Sequence, residues 1–520
     1  MPPTFTYPGV YIEEIPSGVH TITGVATSIA AFVGWTAEGP TTKATLIQSW
    51  SDFENQFGGL DSRSLLGYSV NHFFGNGGQQ AYIVRLVDAA TAQAGTVNVP
   101  ASGGGTAFTA DAYDQGQWST NYGVRIMPNP SDATRFTLQV VYAPSSTQET
   151  VVESFTNLSM LTADPQARSV ESVINDPRTG SQLIQLKNVS TTPGAQPAPN
   201  VFTAPGLPPA PYMLVGGVDG TVLSPSTPAF HTALNAGGSG TGVHLLDIVP
   251  IFNLLCVPGE NDPTTITQLQ KYCRDERAFY IVDSKEADSF TSLQTGPAGI
   301  TKDEAINSAF YFPWVNAPDP LQQGRIRAYP PCGFVAGIYA ATDATRGVWK
   351  APAGIDAGLS GEAGLTTVLT DLQNGTLNIN AVNCLRSFPV YGDVVWGART
   401  LRGNDQVGSE WKYVPIRRLA LFLESSLFQG TQWVVFEPND ERLWSQIRLN
   451  VGAFMQGLFL QGAFQGTTPQ AAYFVKCDAE NNPQASIDLG IVNILVGFAP
   501  LYPAEFVVIQ IQQMAGQLQA

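Results

Sequence analysis

In a chain of 520 residues, the first question is which side chains are of a type and spacing to do chemistry. There are four histidines, His20, His72, His231 and His244, and none falls in an HExxH or similar ligand pattern. His244, followed by Leu245 and Leu246, reads as a core or edge residue rather than a base. Residues 237–242 (GGSGTG) invite a phosphate-loop reading. They lack the Gly-Lys-Ser/Thr ending and follow a helical stretch rather than a strand, so a turn is expected. Asp283, Ser284 and Lys285 follow a strand-like run, where α/β folds place sites, yet nothing near them in sequence completes a triad or acid–base pair. Glu437, Asp440 and Glu441 read best as the acidic start of a helix, where negative charge is favoured. The five cysteines (Cys256, Cys273, Cys332, Cys384, Cys477) are scattered, without zinc or iron–sulfur spacing, and read as reduced core residues. Three Asn-X-Ser/Thr sequons, at Asn157, Asn188 and Asn374, carry almost no weight without a secretion signal. The residues thus predict no enzyme, no metal and no cofactor.

The elements say more than the candidate catalysts. Both ends of the chain read as isolated β-strands: residues 7–15 (YPGVYIEEI) and 505–511 (EFVVIQI) are rich in β-branched and aromatic residues and set off by prolines. In the second, Val507, Ile509 and Ile511 share one face, and Phe506, Val508 and Gln510 the other. A lone strand leaves its backbone donors and acceptors unmet. Each end therefore pairs within its own domain or adds to the sheet of another copy. Charged residues make up only 13% of the chain, about half the usual ~25%, which suits a subunit that hides much surface against copies of itself. The net charge of −16 argues against nucleic acid or an anionic membrane as partner. The start of the chain lacks a basic, apolar signal stretch, and no apolar run reaches the ~20 residues of a membrane span, so a soluble product made and assembled in the cytosol is expected.

Along the chain, residues 27–35 and 81–86 read as buried strands around a helix at 62–74, a β–α–β start to an α/β layer. Residues 93–221 are rich in Ser, Thr, Gly and Pro, with alternating strands such as 136–142 and one helix expected from Asp164 as cap and Pro165 at its first turn. Alternation resumes with a helix from Asp262–Pro263 and a strand at 278–283. A long helix is expected after Asp440, with Leu443, Ile447, Val451, Phe454 and Leu458 inward, flanked by strand-like runs 432–436 (QWVVF) and 472–477 (AYFVKC). The expected fold class is α/β, in the broader sense mixed α+β. Its parts are an N-terminal arm (1–24), a middle α/β domain (25–92 and 222–400), an inserted β-rich outer domain (93–221), an inner C-terminal domain (401–500) and a C-terminal arm (501–520).

Several stretches resemble one family, in its order: YPGVYIEEIPSG (7–18), ITGVATSIAAFVGWTAEGP (22–40), FFGNGGQQAYIVRL (73–86), YFPWVNAPDP (311–320), PPCGFVAGIYAATDATRGVWKAPAG (330–354), VVWGARTL (394–401), WKYVPIRRL (411–419), VVFEPNDERLW (434–444) and PAEFVVIQI (503–511). These are similar to the tail sheath proteins of contractile phage tails and bacterial contractile injection systems. Within 93–221 only WSTNYGVRI (118–126) matches.

The resemblance implies a mechanical role: hexameric rings stacked helically around an inner tube, held in a metastable extended state until a baseplate signal triggers contraction and drives the tube through a target envelope. It implies the chain itself, the inner tube protein, baseplate proteins and a tail terminator or cap as partners, in a phage tail or tail-like particle that is released or cell-anchored. It also implies strand exchange by the arms. Val10, Tyr11, Ile12, Glu13 and Ile15, with Phe506, Val507, Val508, Ile509 and Ile511, would be donor strands. Trp433, Val434, Val435 and Phe436, with Tyr473, Phe474 and Val475, would be acceptors in adjacent copies. Arg442, Gln446 and Arg448 would face the tube. Two other classes remain open at this point: a static self-assembling shell or surface array, and an α/β enzyme.

Overall fold

The computed structural model describes residues 20–145, 148–190, 195–200 and 208–510. Its packing divides the chain into two units: one comprises 26–346 and 350–417, the other 1–25, 347–349 and 418–520.

The larger unit is built on an eight-stranded sheet. Its strands are β1 (Ala30–Trp35), β2 (Thr45–Ile47), β3 (Ala81–Leu86), β4 (Leu254–Cys256), β5 (Phe279–Asp283), β6 (Ser308–Phe312), β7 (Val382–Phe388) and β8 (Gly392–Val395). The spatial order is β8-β7-β6-β5-β4-β1-β3-β2. All pairs are parallel except the two outermost, β2 with β3 and β7 with β8. Parallel strands are covered on both faces, which is why β1 reads AAFVGW and is buried at every position. Helix α1 (Leu66–Gly75) packs against α3 (Cys332–Arg346). A Cβ on Gly333 would lie 2.4 Å from the carbonyl of Ser69, and one on Gly337 2.7 Å from that of Phe73, so only glycine lets the two backbones meet. Helix α2 (Pro263–Asp275) is capped by Asp262, whose carboxylate accepts from the Thr265 backbone N–H, and buries Ile266, Leu269, Tyr272 and Cys273.

Residues 93–221 belong to this unit but carry a core of their own around Phe108, Ile126, Leu138, Leu158, Ile174 and Leu214. A three-stranded and a four-stranded antiparallel sheet enclose it. The chain enters and leaves this insertion side by side, through antiparallel bridges Gln93–Val218 and Thr96–Val215.

Two expectations need correction here. The helix in the insertion is Val170–Ile174, not a longer one capped at Asp164. Asp164 instead closes a local turn by accepting from the N–H groups of Gln166 and Arg168, pairs with Arg135 at 2.7 Å, and is followed by Ala167 at φ +53°, which no helix continues through. The division between the two units falls at 417/418. Residues 399–417 are tied to the rest of the larger unit by Leu401 N–H to Ser308 O (2.8 Å) and Arg417 Nε to Asn307 Oδ1 (2.6 Å). Finally, residues 432–436 are not a strand. Gln432–Val434 form a single 3-10 turn that continues off the preceding helix through Val434 N–H to Thr431 O. Phe436 then takes φ +71° ahead of Pro438.

Helix α4 (Val414–Gly430) carries the chain from the larger unit into the smaller. There α5 (Glu441–Leu460) is capped by Asp440, which accepts from Leu443 N–H at 3.0 Å. It buries Leu443, Ile447, Val451, Met455 and Leu458 against Leu419, Leu423 and Phe464. A two-stranded antiparallel sheet, β9 (Tyr473–Lys476) and β10 (Leu495–Phe498), completes the unit.

Candidate assembly interface

The residues singled out for chemistry are dispersed and structurally occupied. Burial pushes His72 down to about 3 and it stacks on Phe334 at 4.0 Å, so it is a neutral aromatic spacer. His231 meets the buried Glu260, and His244 meets Asp247. Residues 237–242 turn the chain after the helix Pro228–Leu234. Asp283, pushed up to about 6 by burial, accepts from the N–H groups of Gly259 (3.0 Å) and Cys332 (2.8 Å) and so starts α3. All five cysteines are buried and free. Among the described residues, no cluster of three His, Cys, Asp or Glu is placed to hold a metal ion.

The smaller unit assembles a different kind of site. The register of β9 and β10 pairs Tyr473 with Phe498, and Val475 with Val496, on the face packed against the core. Tyr473 also donates to Gln456 Oε1 on α5 at 2.9 Å. On the other face the Phe474 ring lies over Gly497, where a Cβ would sit 2.2 Å from it, and Phe474 stays half exposed. After β9 the chain is pinned by side-chain amides. Asn481 donates to the carbonyls of Lys476 and Asn493, and Asn482 accepts from Asn493 N–H at 2.6 Å.

Two strands alone make a marginal sheet, and no further strand among the described residues pairs with either edge of this one. Edges elsewhere in the molecule are managed. The outer edge of β8 is bonded by residues 354–359. β2 is only three residues long. The edge strand Gln148–Ser159 of the insertion carries three register irregularities. At the edge strand Ile184–Lys187, the Asn175 side chain bonds both Leu186 backbone groups. In the hairpin Val315–Asp319 and Arg325–Tyr329, one edge is bonded to residues 363–366 and the other carries Arg325 and Arg327. Among the described residues, the edges left bare are those of β9 and β10.

Apolar surface concentrates in the same unit. Phe436 is 102% exposed, and Leu460, Leu489, Phe474 and Leu495 are exposed too. The C-terminal tail follows: Phe506, Val507, Val508 and Ile509 are 74–80% exposed and belong to no strand. Residues 505–510, the described part of the strand expected at 505–511, are thus not assigned to any strand. Ile511 and the other expected donors, Val10, Tyr11, Ile12, Glu13 and Ile15, lie outside the described residues. Of the expected acceptors, Tyr473, Phe474 and Val475 are in β9, whereas Trp433 and Val434 are in the 3-10 turn, with Val435 and Phe436 following it.

On α5, Arg442 is exposed, Gln446 half-buried and Arg448 engaged. Arg448 bonds Glu441 at 2.5 Å and the Cys477 carbonyl, tying α5 to the end of β9. Its guanidinium holds the exposed Glu441 carboxyl below the usual range.

Sequence reasoning missed how the start of the chain is held. His20 stacks on Trp433 at 4.2 Å, its N–H donates to Asn450 Oδ1, Ile22 is buried against Gly430, and Val25 N–H donates to Ser426 Oγ. The available signal was Asn450, a polar residue on the apolar face of α5 next to Val451.

Comparison with known proteins gives this geometry a context. Residues 406–514 match the phage tail sheath C-terminal domain. The tail sheath protein of Vibrio phage KVP40 is 28% identical over 166 residues, 32% of this chain and 23% of its own length. A putative prophage major tail sheath protein of Pseudomonas aeruginosa is 25% identical over 283 residues, 52% of this chain and 69% of its own length. The chain thus spans about a quarter of the Vibrio phage relative it matches. Among solved structures, the sheath of an extracellular contractile injection system in its contracted state superposes with a TM-score of 0.58 over 98% of both chains at 22% identity. A sheath tail protein from Listeria innocua gives 0.59 over 92% of this chain and 96% of its own, at 14% identity. At these identities the structures speak to the fold, a mixed α/β architecture with one large mixed sheet and several small antiparallel ones. The family is structural rather than enzymatic. By its C-terminal domain match and its sheath relatives, this chain is similar to the tail sheath proteins of phage tails and contractile injection systems, and it shares their fold.

Proposed function

We propose that the chain is the structural subunit of a contractile sheath. Copies would stack as hexameric rings around an inner tube and shorten from a metastable extended state, driving the tube through a target envelope. The contracted-state sheath structures that share its fold support contraction as the working step. The stored free energy would lie in the lattice, where a modest gain per subunit sums over many copies.

The observation that carries this reading is the match between open edges and strand-like ends. Among the described residues, the sheet of β9 and β10 has two unpaired edges, and the sequence has two strand-like termini. The termini would add to this sheet in neighbouring copies, keeping the lattice joined while the rest of each subunit moves. The partners follow: the chain itself, an inner tube protein, baseplate proteins and a terminator or cap. A fold relative occurs in a baseplate assembly. Among the described residues no helix is long and apolar enough to cross a membrane. Arg442 and Gln446 on α5 would face the tube, with Arg448 holding the helix to β9.

A chain starting near Gly18 tests the linkage. The full chain should give long hollow striated cylinders in the electron microscope, and the shortened chain should stop at rings or single subunits. Long cylinders from the shortened chain would remove the N-terminal arm from the scheme. A static shell would give cylinders or sheets of one fixed diameter, whereas a sheath gives two, a narrow extended and a wide contracted form.

A further inference from the structure

The large sheet holds a second place of interest. From β1 the chain passes to β3 on one side, and later returns to β4 on the other side of β1. Strand order therefore reverses between β1 and β4, and in open α/β sheets ligands bind in the crevice outside the carboxyl ends of the strands at such a point. A cavity of about 280 Å³ lies there. It is lined by Trp35 at the end of β1, Pro258 just after β4, Trp314 beyond β6, and Phe230, Arg63 and Arg327.

The polar groups of the lining are not equivalent. Trp35 is 1% exposed and its indole Nε1 has no hydrogen-bond partner, an uncommon state for a buried donor. The Arg327 guanidinium lies over the rings of Tyr68 (5.4 Å) and Tyr329 (5.6 Å). Its Nη1 donates to Ser62 O at 3.2 Å and sits 3.9 Å from Asp319, which leaves further donors for a ligand. Arg63 covers the Trp35 ring at 4.8 Å, but its nitrogens are committed to Asp61 and Asp219. Trp314 Nε1 is used up on the Ser284 carbonyl at 2.7 Å, so Trp314 offers an apolar face only. The exposed Glu286 also lines the cavity and disfavours a second negative group.

We propose that this crevice is a binding site for a small monocarboxylate with an apolar or aromatic body. The carboxylate takes the free donors of Arg327 and the indole N–H of Trp35, and the body lies against Trp314, Phe230 and Pro258. The cavity is at the small end of the range for ligand pockets, which limits the body to about the size of one amino-acid side chain. This site is independent of the sheath reading.

The probe is 3-phenylpropionate, titrated into the full chain by calorimetry, with 3-phenylpropanol as its uncharged counterpart. Saturable binding of the carboxylate is expected. A charged hydrogen bond is worth enough that the alcohol, Arg327→Gln and Trp35→Phe should each bind about tenfold more weakly or worse. Equal melting temperatures for the variants and the parent chain show that the loss is local. If Arg327→Gln does not fold, the alcohol and Trp35→Phe decide. Absence of saturable binding to the parent chain, or equal affinity for acid and alcohol, overturns the proposal.

Discussion

Val507 and Val508 are each 80% exposed and, in an extended segment, point to opposite sides. Suppose the tail adds as a strand to β9 or β10. One of the two valines then joins Tyr473, Val475, Val496 and Phe498 against the core, and the other joins Phe474 and Leu495 on the outer face. Burying a valine that is now almost fully exposed is worth about 1.5–3 kcal/mol. Aspartate at the inward position forfeits that gain and adds the desolvation of a carboxylate, so docking of the arm weakens by about 3 kcal/mol or more, a hundredfold or more in its equilibrium constant. Aspartate at the outward position costs about 0.5 kcal/mol, a factor of two to three. Val507→Asp and Val508→Asp, made separately, should therefore differ by roughly fiftyfold in the critical concentration for polymerisation. Sedimentation over a dilution series, checked by electron microscopy, measures it. If the two variants polymerise alike, whether both normally or both poorly, strand addition with a fixed register is refuted.

Three further outcomes are expected. Gly337→Val places a side chain within 2.7 Å of the Phe73 carbonyl and should destabilise the larger unit by about 1–3 kcal/mol, read as a lowered urea midpoint. Ile22→Ala removes a side chain buried in the smaller unit at a cost of about 2–4 kcal/mol; the first new cleavage site in limited proteolysis should then lie near residue 25, and an unchanged digest counts against the packing of the 20–25 segment. Asp283, whose burial raises it from the ordinary 3.8 to about 6, binds its proton more tightly folded than unfolded. Its contribution to stability is therefore full below about 4 and falls as pH rises to about 6; Asp283→Asn should flatten that part of the stability–pH curve, and an unaltered slope would assign it to other groups.

The parts of the fold that could be read from sequence are those set by local rules. β1, β3 and β5 are buried on both faces and so appear as continuous apolar runs, AAFVGW, AYIVRL and FYIVD. Asp262–Pro263 and Asp440 announce α2 and α5 because a cap acts within three residues. Misreadings arose where distant groups decide. QWVVF has strand propensity, but no neighbouring strand reaches it, and the turn off α4 prevails. At the candidate interface, β9 was legible from its alternation. β10 was hidden in a longer apolar stretch broken only by its pairing with β9, and the bareness of their outer edges is a property of the whole molecule that no local pattern encodes.

The paired entry and exit of the insertion have a practical consequence. Residues 93 and 218 face each other across an antiparallel bridge, so residues 94–217 form a closed excursion that begins and ends at one spot. Arg85, fully buried beneath that spot, donates to the carbonyls of Thr36, Ala37 and Gly39 within the core and to Gln115 alone within the excursion. Cutting the excursion out and closing the gap with a tight turn would cost Arg85 one acceptor of four. The junction is thus a graft port, where a foreign folded domain with adjacent ends can be carried on each subunit while the β1–β8 sheet and the smaller unit keep their own bonds.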